Sequence, residues 1–261
     1  MIRIEIRRLL KRTSFHMVLL FGILIATLEA FSNNIIRLNP QDFIDFSNGA
    51  YNNLMIYSVG KYVRMLQMVF PLIVTIAFAD AYLEDVKSGF IKNIITRYDK
   101  KKYLINRFLV NIVVSGLIIS IPLVVNYMLY AASIPSIEPK VFYSSIILEP
   151  RGFLSHIYFE YPLLHVFIRI FFLFIYGGTF SSIALAISIY SRNKYVITII
   201  PFIVYIGMDV VISMILNYRY SPMMYLFNPY GYNHMFIAFP MILITACFYL
   251  FVFGGMKNEL N

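Results

Sequence analysis

The sequence predicts an all-α, polytopic membrane protein with six transmembrane helices, and three observations carry that expectation. Of 261 residues, 60% are hydrophobic and only 13% charged, whereas soluble domains sit nearer half apolar and a quarter charged. Mean hydropathy is +0.73, an excess that a water-soluble core of this size has no room to hide. Long apolar runs also alternate with basic or proline-containing segments. With no internal repeat, the chain reads as one transmembrane domain over residues 1–261. A net charge of +9 would suggest nucleic acid in a soluble chain. Here the cations collect in loops, as the positive-inside rule expects, so membrane lipid is the expected partner and nucleic acid is not. One cysteine, Cys247, excludes an intramolecular disulfide framework and leaves no Cys-based metal cluster. Trp is absent, so Tyr must supply most of any interfacial aromatic belt.

In chain order, residues 1–12 form an amphipathic helix. Ile2, Ile6, Leu9 and Leu10 share one face, with Arg3, Arg7, Arg8, Lys11 and Arg12 on the other, a pattern suited to lying on an anionic leaflet. A basic start before an apolar run also describes a signal peptide, but no small-residue cleavage pattern follows. The first span, 14–31, is long enough to cross ~30 Å of hydrocarbon. Residues 33–60 are polar and aromatic, with Asn39-Pro40 as the cap and first turn of a short helix. The second span is 61–81, containing Pro71. After the polar segment 82–103 comes the third span, 104–132, with a kink expected at Pro122. Residues 133–161 form an external loop whose apolar stretch 141–148 rests against the membrane. The fourth span is 162–190. Ser191-Arg192-Asn193-Lys194 makes a tight basic turn into the fifth, 195–216. Pro222 and Pro229 break 217–233, and the sixth span is 234–255.

Charge orients these spans. Of 22 Lys and Arg residues, fifteen lie on one side: five in the first twelve residues, seven in 82–107, two at Arg192 and Lys194, and Lys257. The other seven are Arg37, Lys61, Arg64, Lys140, Arg151, Arg169 and Arg219. The split predicts both termini in the cytoplasm, consistent with an even number of spans.

The segment 82–103 is the longest polar stretch between two apolar runs. Within it, 84–95 reads as an amphipathic helix with Val86, Phe90, Ile91, Ile94 and Ile95 on the apolar side and Lys87 and Lys92 flanking it. Gly89 costs about 1 kcal/mol relative to Ala inside a helix, so it marks a bend or a close contact. A helix displayed at the end of two spans transmits a push from a soluble partner. Alternatively, its lysines simply bind anionic lipid. Periodicity does not choose between the two.

The order of features resembles the ABC-2 type permease family, the membrane subunits of one class of ABC transporters. Those chains open with an amphipathic cytoplasmic helix and have six spans. Their first intracellular loop carries an acidic residue, a glycine, an apolar helix and a basic patch. Here that reads Glu84-Asp85, Gly89, Ile91 with Ile94-Ile95, then Arg97 and Lys100 to Lys102. Phe90 replaces the family's usual Thr, and Tyr98-Asp99-Lys100 replaces a Pro-Ser-Arg-like turn. The resemblance implies a coupling helix comprising Glu84, Asp85, Gly89, Phe90, Ile91, Ile94 and Ile95. It implies cytoplasmic ATPase subunits as partners, a second permease subunit in a homo- or heterodimer, and location in a cell membrane, that of a bacterium. It also implies export rather than import, and the apolar and aromatic composition suits an amphipathic cargo such as a peptide, antibiotic or lipid-linked molecule. In the family the region matching 217–233 dips back into the membrane. Met223 to Phe227 would be that arm and Asn228-Pro229 its turn, although a plain external loop fits the residues equally well.

No cofactor is expected on this chain, with ATP and Mg left to the partner. Gly60-Lys61 is the only Gly-Lys pair, and Met55 and Tyr62 stand where a phosphate-binding loop needs Gly and Ser or Thr. An intramembrane enzyme is not expected either. His16, His156, His165 and His234 are scattered, no H-E-x-x-H occurs, and Ser181-Ser182 lie deep in the fourth span while His165 is near its outer end. Gly177-Gly178, Ser181-Ser182 and Ala186 read as a close-packing face. Four ionisable residues within or near spans complete the candidates: Glu29, Arg64, Arg169 and Asp209. Such charges cost several kcal/mol unless paired or wet. They form an outer polar ring or line a translocation path, unless Arg64 and Arg169 snorkel and Glu29 is merely interfacial. Asp209 is too short to snorkel. Two other function classes remain open: a membrane anchor or sensor without a transport role, and an ion-coupled secondary transporter using Asp209.

Overall fold

The structure is a computed structural model that describes residues 2–32, 49–51, 53–58, 60–96, 98–139, 154–215, 220–223 and 235–257. Asn39-Pro40, Arg97, the stretch 141–148, most of 217–233 and His234 therefore lie outside the described residues. Among the described residues the fold is all-α and contains no strand. In chain order the helices are α1 (Ile2–Leu9), α2 (Thr13–Ala30), α3 (Lys61–Ile76), α4 (Ala81–Lys87) and α5 (Phe90–Ile95). They continue as α6 (Lys100–Ser133), α7 (Ser155–Glu160), α8 (Pro162–Ile187), α9 (Lys194–Ile215) and α10 (Met235–Lys257). Among the described residues six segments are long and apolar enough to cross a membrane, so the chain is a multi-pass membrane protein.

Two boundaries differ from expectation for identifiable reasons. The second span does not stop at Ala81. A tight turn at 77–80 carries it into α4, so the apolar segment runs to Lys87. The third span begins at Lys100 because the Asp99 side chain accepts from the Lys101 N–H at 3.0 Å, an N-cap that fixes the first turn.

α6 and α8 form the centre of the bundle, with α2, α3 and α10 packed around them and α9 set against α3 and α8. The small residues of α8 explain the tight central contact. A Cβ on Gly177 would lie 2.9 Å from the Ser115 carbonyl oxygen, and one on Gly178 would lie 2.6 Å from Ile112 Cγ2. Ser181 Oγ donates to Asn111 Oδ1 at 3.0 Å across the same contact. The close-packing reading of this stripe matches what is seen. By contrast only 17% of the apolar stretch of α9 is buried, and Ile199, Ile203, Val210 and Met214 face outward, as lipid-facing residues do in a bilayer.

Candidate functional site at the basic end of the bundle

The segment that links the second and third spans is an elbow and not one helix. Gly89 sits at φ 70°, ψ 2°, closing α4 and opening α5. Its N–H donates to the Val86 carbonyl at 3.2 Å, and the Ser88 N–H reaches the Glu84 carbonyl at 2.9 Å. These are the terminal carbonyls a helix must satisfy, and the left-handed conformation is what glycine supplies at a helix end. The continuous helix expected over 84–95 is thus broken in the middle by its glycine.

The break sorts the expected coupling residues into two sets. Asp85 is fully buried and Ile91 nearly so, which removes both from any surface a partner could touch. Phe90, Ile94 and Ile95 are half-buried, the two isoleucines against the core. Glu84, Lys87, Ser88, Lys92, Asn93 and Thr96 form the exposed side.

What buries Asp85 is an ion network that joins four stretches of chain. Arg8 pairs with Asp85 Oδ1, while Tyr103 donates to Asp85 Oδ2 at 2.8 Å. Arg107 Nη2 lies 3.1 Å from the same oxygen, and its Nη1 pairs with Glu5. Arg12 reaches Asp80 at 2.9 Å and also Glu84, and Lys194 reaches Asp80 at 2.8 Å. Arg12 and Arg107 both stand over the Phe78 ring, at 5.6 and 4.7 Å, and Arg8 stands over Phe90 at 4.7 Å. Burial disfavours the Arg8 charge. The hydrogen bond and attraction of Asp85, with Glu5 behind it, outweigh that and raise the Arg8 pKa above its ordinary value. α1, the second span with its elbow, and α6 are held together here, and α9 joins through Lys194. At the same end, Lys100 Nζ donates to the Met256 carbonyl at 3.3 Å.

The network's members differ in energetic weight. Pairs with exposed partners, Glu84 and Lys194, are worth about 0–1 kcal/mol each. Arg107 and Glu5 are almost fully buried. Their net contribution is small because desolvation offsets attraction, but removing one partner costs about 3–5 kcal/mol by stranding the others.

The amphipathic helix α1 is arranged differently from expectation. Leu9 is buried but Ile6 and Leu10 are 45% and 57% exposed, while Arg8 and Arg12 turn inward to the acids. Both basic and apolar residues are therefore divided between the bundle and the surroundings. Glu5, Asp80, Tyr103 and the pairing of Arg107 and Lys194 were missed by sequence reasoning. Two signals pointed to them: Glu5 is the one acid in a stretch with five cations, and Asp80 is an acid ending an apolar run.

The four intramembrane candidates are not brought together as a mutually paired ring. Glu29 is fully buried within the bundle. Its Oε2 accepts from Asn126 Nδ2 at 2.9 Å and Tyr130 Oη at 3.3 Å. Arg169 is buried within the bundle, with its guanidinium 5.6 Å from the Phe236 ring centroid. Asp209 accepts from Ser221, which also accepts from the Met223 N–H at 3.1 Å. The Met223 carbonyl in turn accepts from Gln67, so Asp209 helps dock 220–223 onto the second span. Arg64 is exposed. At that far end, Tyr57 and His165 share a hydrogen bond and Met55 N–H reaches Asn126 Oδ1 at 2.9 Å. The stretch 54–57, expected in a polar segment, is buried there.

Among the described residues, no group of three or more His, Cys, Asp or Glu side chains is placed to hold a metal ion. No protein-family model, no curated protein and no solved structure matches this chain.

Proposed function

We propose that the chain is the membrane subunit of an ATP-driven transporter of the ABC-2 type, worked by ATPase subunits that contact its basic, cytoplasmic end. The observation that supports this reading is the ion network: α1, the elbow and α6 are tied together, so a displacement of the elbow's exposed side moves three segments at once. A push on a segment held only by a loop would be absorbed by the loop. Glu84, Lys87, Lys92 and Asn93 are the contact side, while Asp85, Phe90, Ile91, Ile94 and Ile95 anchor the elbow to the bundle and Gly89 shapes it. ATP and Mg belong to the partner, and a second permease subunit, identical or related, completes the assembly in a bacterial plasma membrane. The direction is export, of an amphipathic peptide, antibiotic or lipid-linked molecule.

Anchoring without transport is the competing class, and one experiment separates them. Gentle solubilisation of the chain expressed with its natural neighbours is expected to copurify a nucleotide-hydrolysing subunit. The double substitution Lys87→Glu with Lys92→Glu should release that subunit without altering thermal stability. Absence of any ATP-hydrolysing partner would rule the reading out. For an ion-coupled transporter, Asp209 would have to bind an ion in competition with, or alongside, its hydrogen bond to Ser221.

A further inference from the structure

Between α1 and the turn that ends α3 lies a cavity of about 190 Å³ whose lining includes Arg8, Lys11, Arg12, Phe78, Glu84 and Arg107. Four cations face one acid on that wall. Glu5, Asp80 and Asp85 stand behind the arginines, and Lys194 pairs with Asp80. Counted together, five cations meet four acids, so the group keeps one positive charge in surplus. Its donors are not used up either. Arg8 Nη1 and Arg107 Nε are buried without an acceptor among the described residues, and Lys11 is in no ion pair among them. Phe78 beneath Arg12 and Arg107 holds both guanidinium groups in place.

We propose that this cavity binds a phosphate anion, either free or as the headgroup phosphate of an anionic phospholipid. Planar guanidinium groups match phosphate oxygens in pairs of N–H···O bonds. The volume accommodates a phosphate with several waters, at about 30 Å³ per water. A second, more open groove lined by Arg7, Arg8, Leu10 and Lys11 meets the cavity at Arg8 and Lys11. Exposed Ile6 on α1 and Leu10 just after it would sit at the acyl boundary, with the phosphate reaching inward to the arginines. The bound anion would bridge α1 to the elbow. This inference stands independently of the transporter reading, because it concerns only the wall of the cavity.

The test uses the full chain in detergent micelles, titrated with dioctanoyl phosphatidylglycerol, dioctanoyl phosphatidylcholine and inorganic phosphate. Lys11 is the residue to change, being exposed and outside the ion pairs. One basic residue near an anionic surface is worth about fivefold in affinity. Lys11→Gln should therefore weaken binding about fivefold, and Lys11→Glu about thirtyfold. Arg192→Glu, an exposed cation at the same end but outside the cavity, should leave binding unchanged. Saturable phosphatidylglycerol binding that exceeds phosphatidylcholine binding and follows this variant pattern identifies a lipid phosphate. Saturable binding of inorganic phosphate with the same pattern identifies the free anion. If neither binds saturably, or if Arg192→Glu weakens binding as much as Lys11→Glu, the proposal is overturned.

Discussion

The two ends of the bundle are held by different chemistry. At the basic end, charges of both signs from α1, the 77–80 turn, α4, α6 and α9 meet in one network around Asp80, Asp85 and Arg107. At the other end, Glu29 is held by the neutral donors Asn126 and Tyr130, and Tyr57 is stacked on His165 with their ring centroids 5.9 Å apart. The buried centre of that network reaches water through the partly open side chains of Arg8, Glu84 and Lys194. The Glu29 and Tyr57 hydrogen bonds are buried and have no such route to water. The basic end thus carries charges that outside ions can reach, whereas the Glu29 and Tyr57 contacts at the far end are buried.

Substitutions break this comparison in order of expected size. The largest loss is predicted for Arg107→Met, which strands Glu5 and weakens the hold on Asp85. Unfolding in detergent should show a cost of about 3–5 kcal/mol. Adding Glu5→Leu to that variant should recover part of the loss, because fewer charges remain buried without a partner. At the far end, Glu29→Ala should cost about 1–3 kcal/mol by removing an acceptor that Asn126 and Tyr130 share. Glu29→Gln keeps an acceptor oxygen and should cost less; a Gln as damaging as Ala would show that the far end depends on charge after all.

Smaller effects sharpen the picture of the elbow. Gly89→Ala should cost about 1–2 kcal/mol, all of it from the left-handed backbone, since the space around a Cβ there is open. The smallest effect belongs to Glu84→Ala, at most about 1 kcal/mol, measured as a stability difference that shrinks as salt is raised.

The six spans were legible in the sequence because a bilayer demands a long apolar run for each crossing, and the proline and glycine positions punctuated them. Asp99 has the side chain of an N-cap, but it lies five residues before the apolar run that begins at Leu104, because the first turn of α6 is basic. The site was half legible. Gly89 carried a visible signal for a bend, and Glu84-Asp85 stood out as acids in a basic segment. What the sequence did not reveal is that Asp85 faces inward. Helical periodicity over 84–95 assumes one continuous helix, and a left-handed residue in the middle resets the phase of everything after it. The partners of Asp85 are also remote, at positions 8, 103 and 107, and no local pattern predicts which distant arginine a buried acid will meet. The same limit applies to the intramembrane candidates. Glu29, Arg169 and Asp209 lie on spanning helices, but which way each side chain turns depends on packing between helices.

The central claim is that the elbow and its basic flank lie on the cytoplasmic side, where a nucleotide-driven partner can move them. The most direct measurement is labelling of a single cysteine at Lys101, exposed on the first turn of α6, in a chain whose buried Cys247 is replaced by Ser. A membrane-impermeant maleimide is predicted to leave Lys101→Cys unmodified in intact cells and to modify it once the membrane is opened. Modification in intact cells would put the elbow outside and contradict the account.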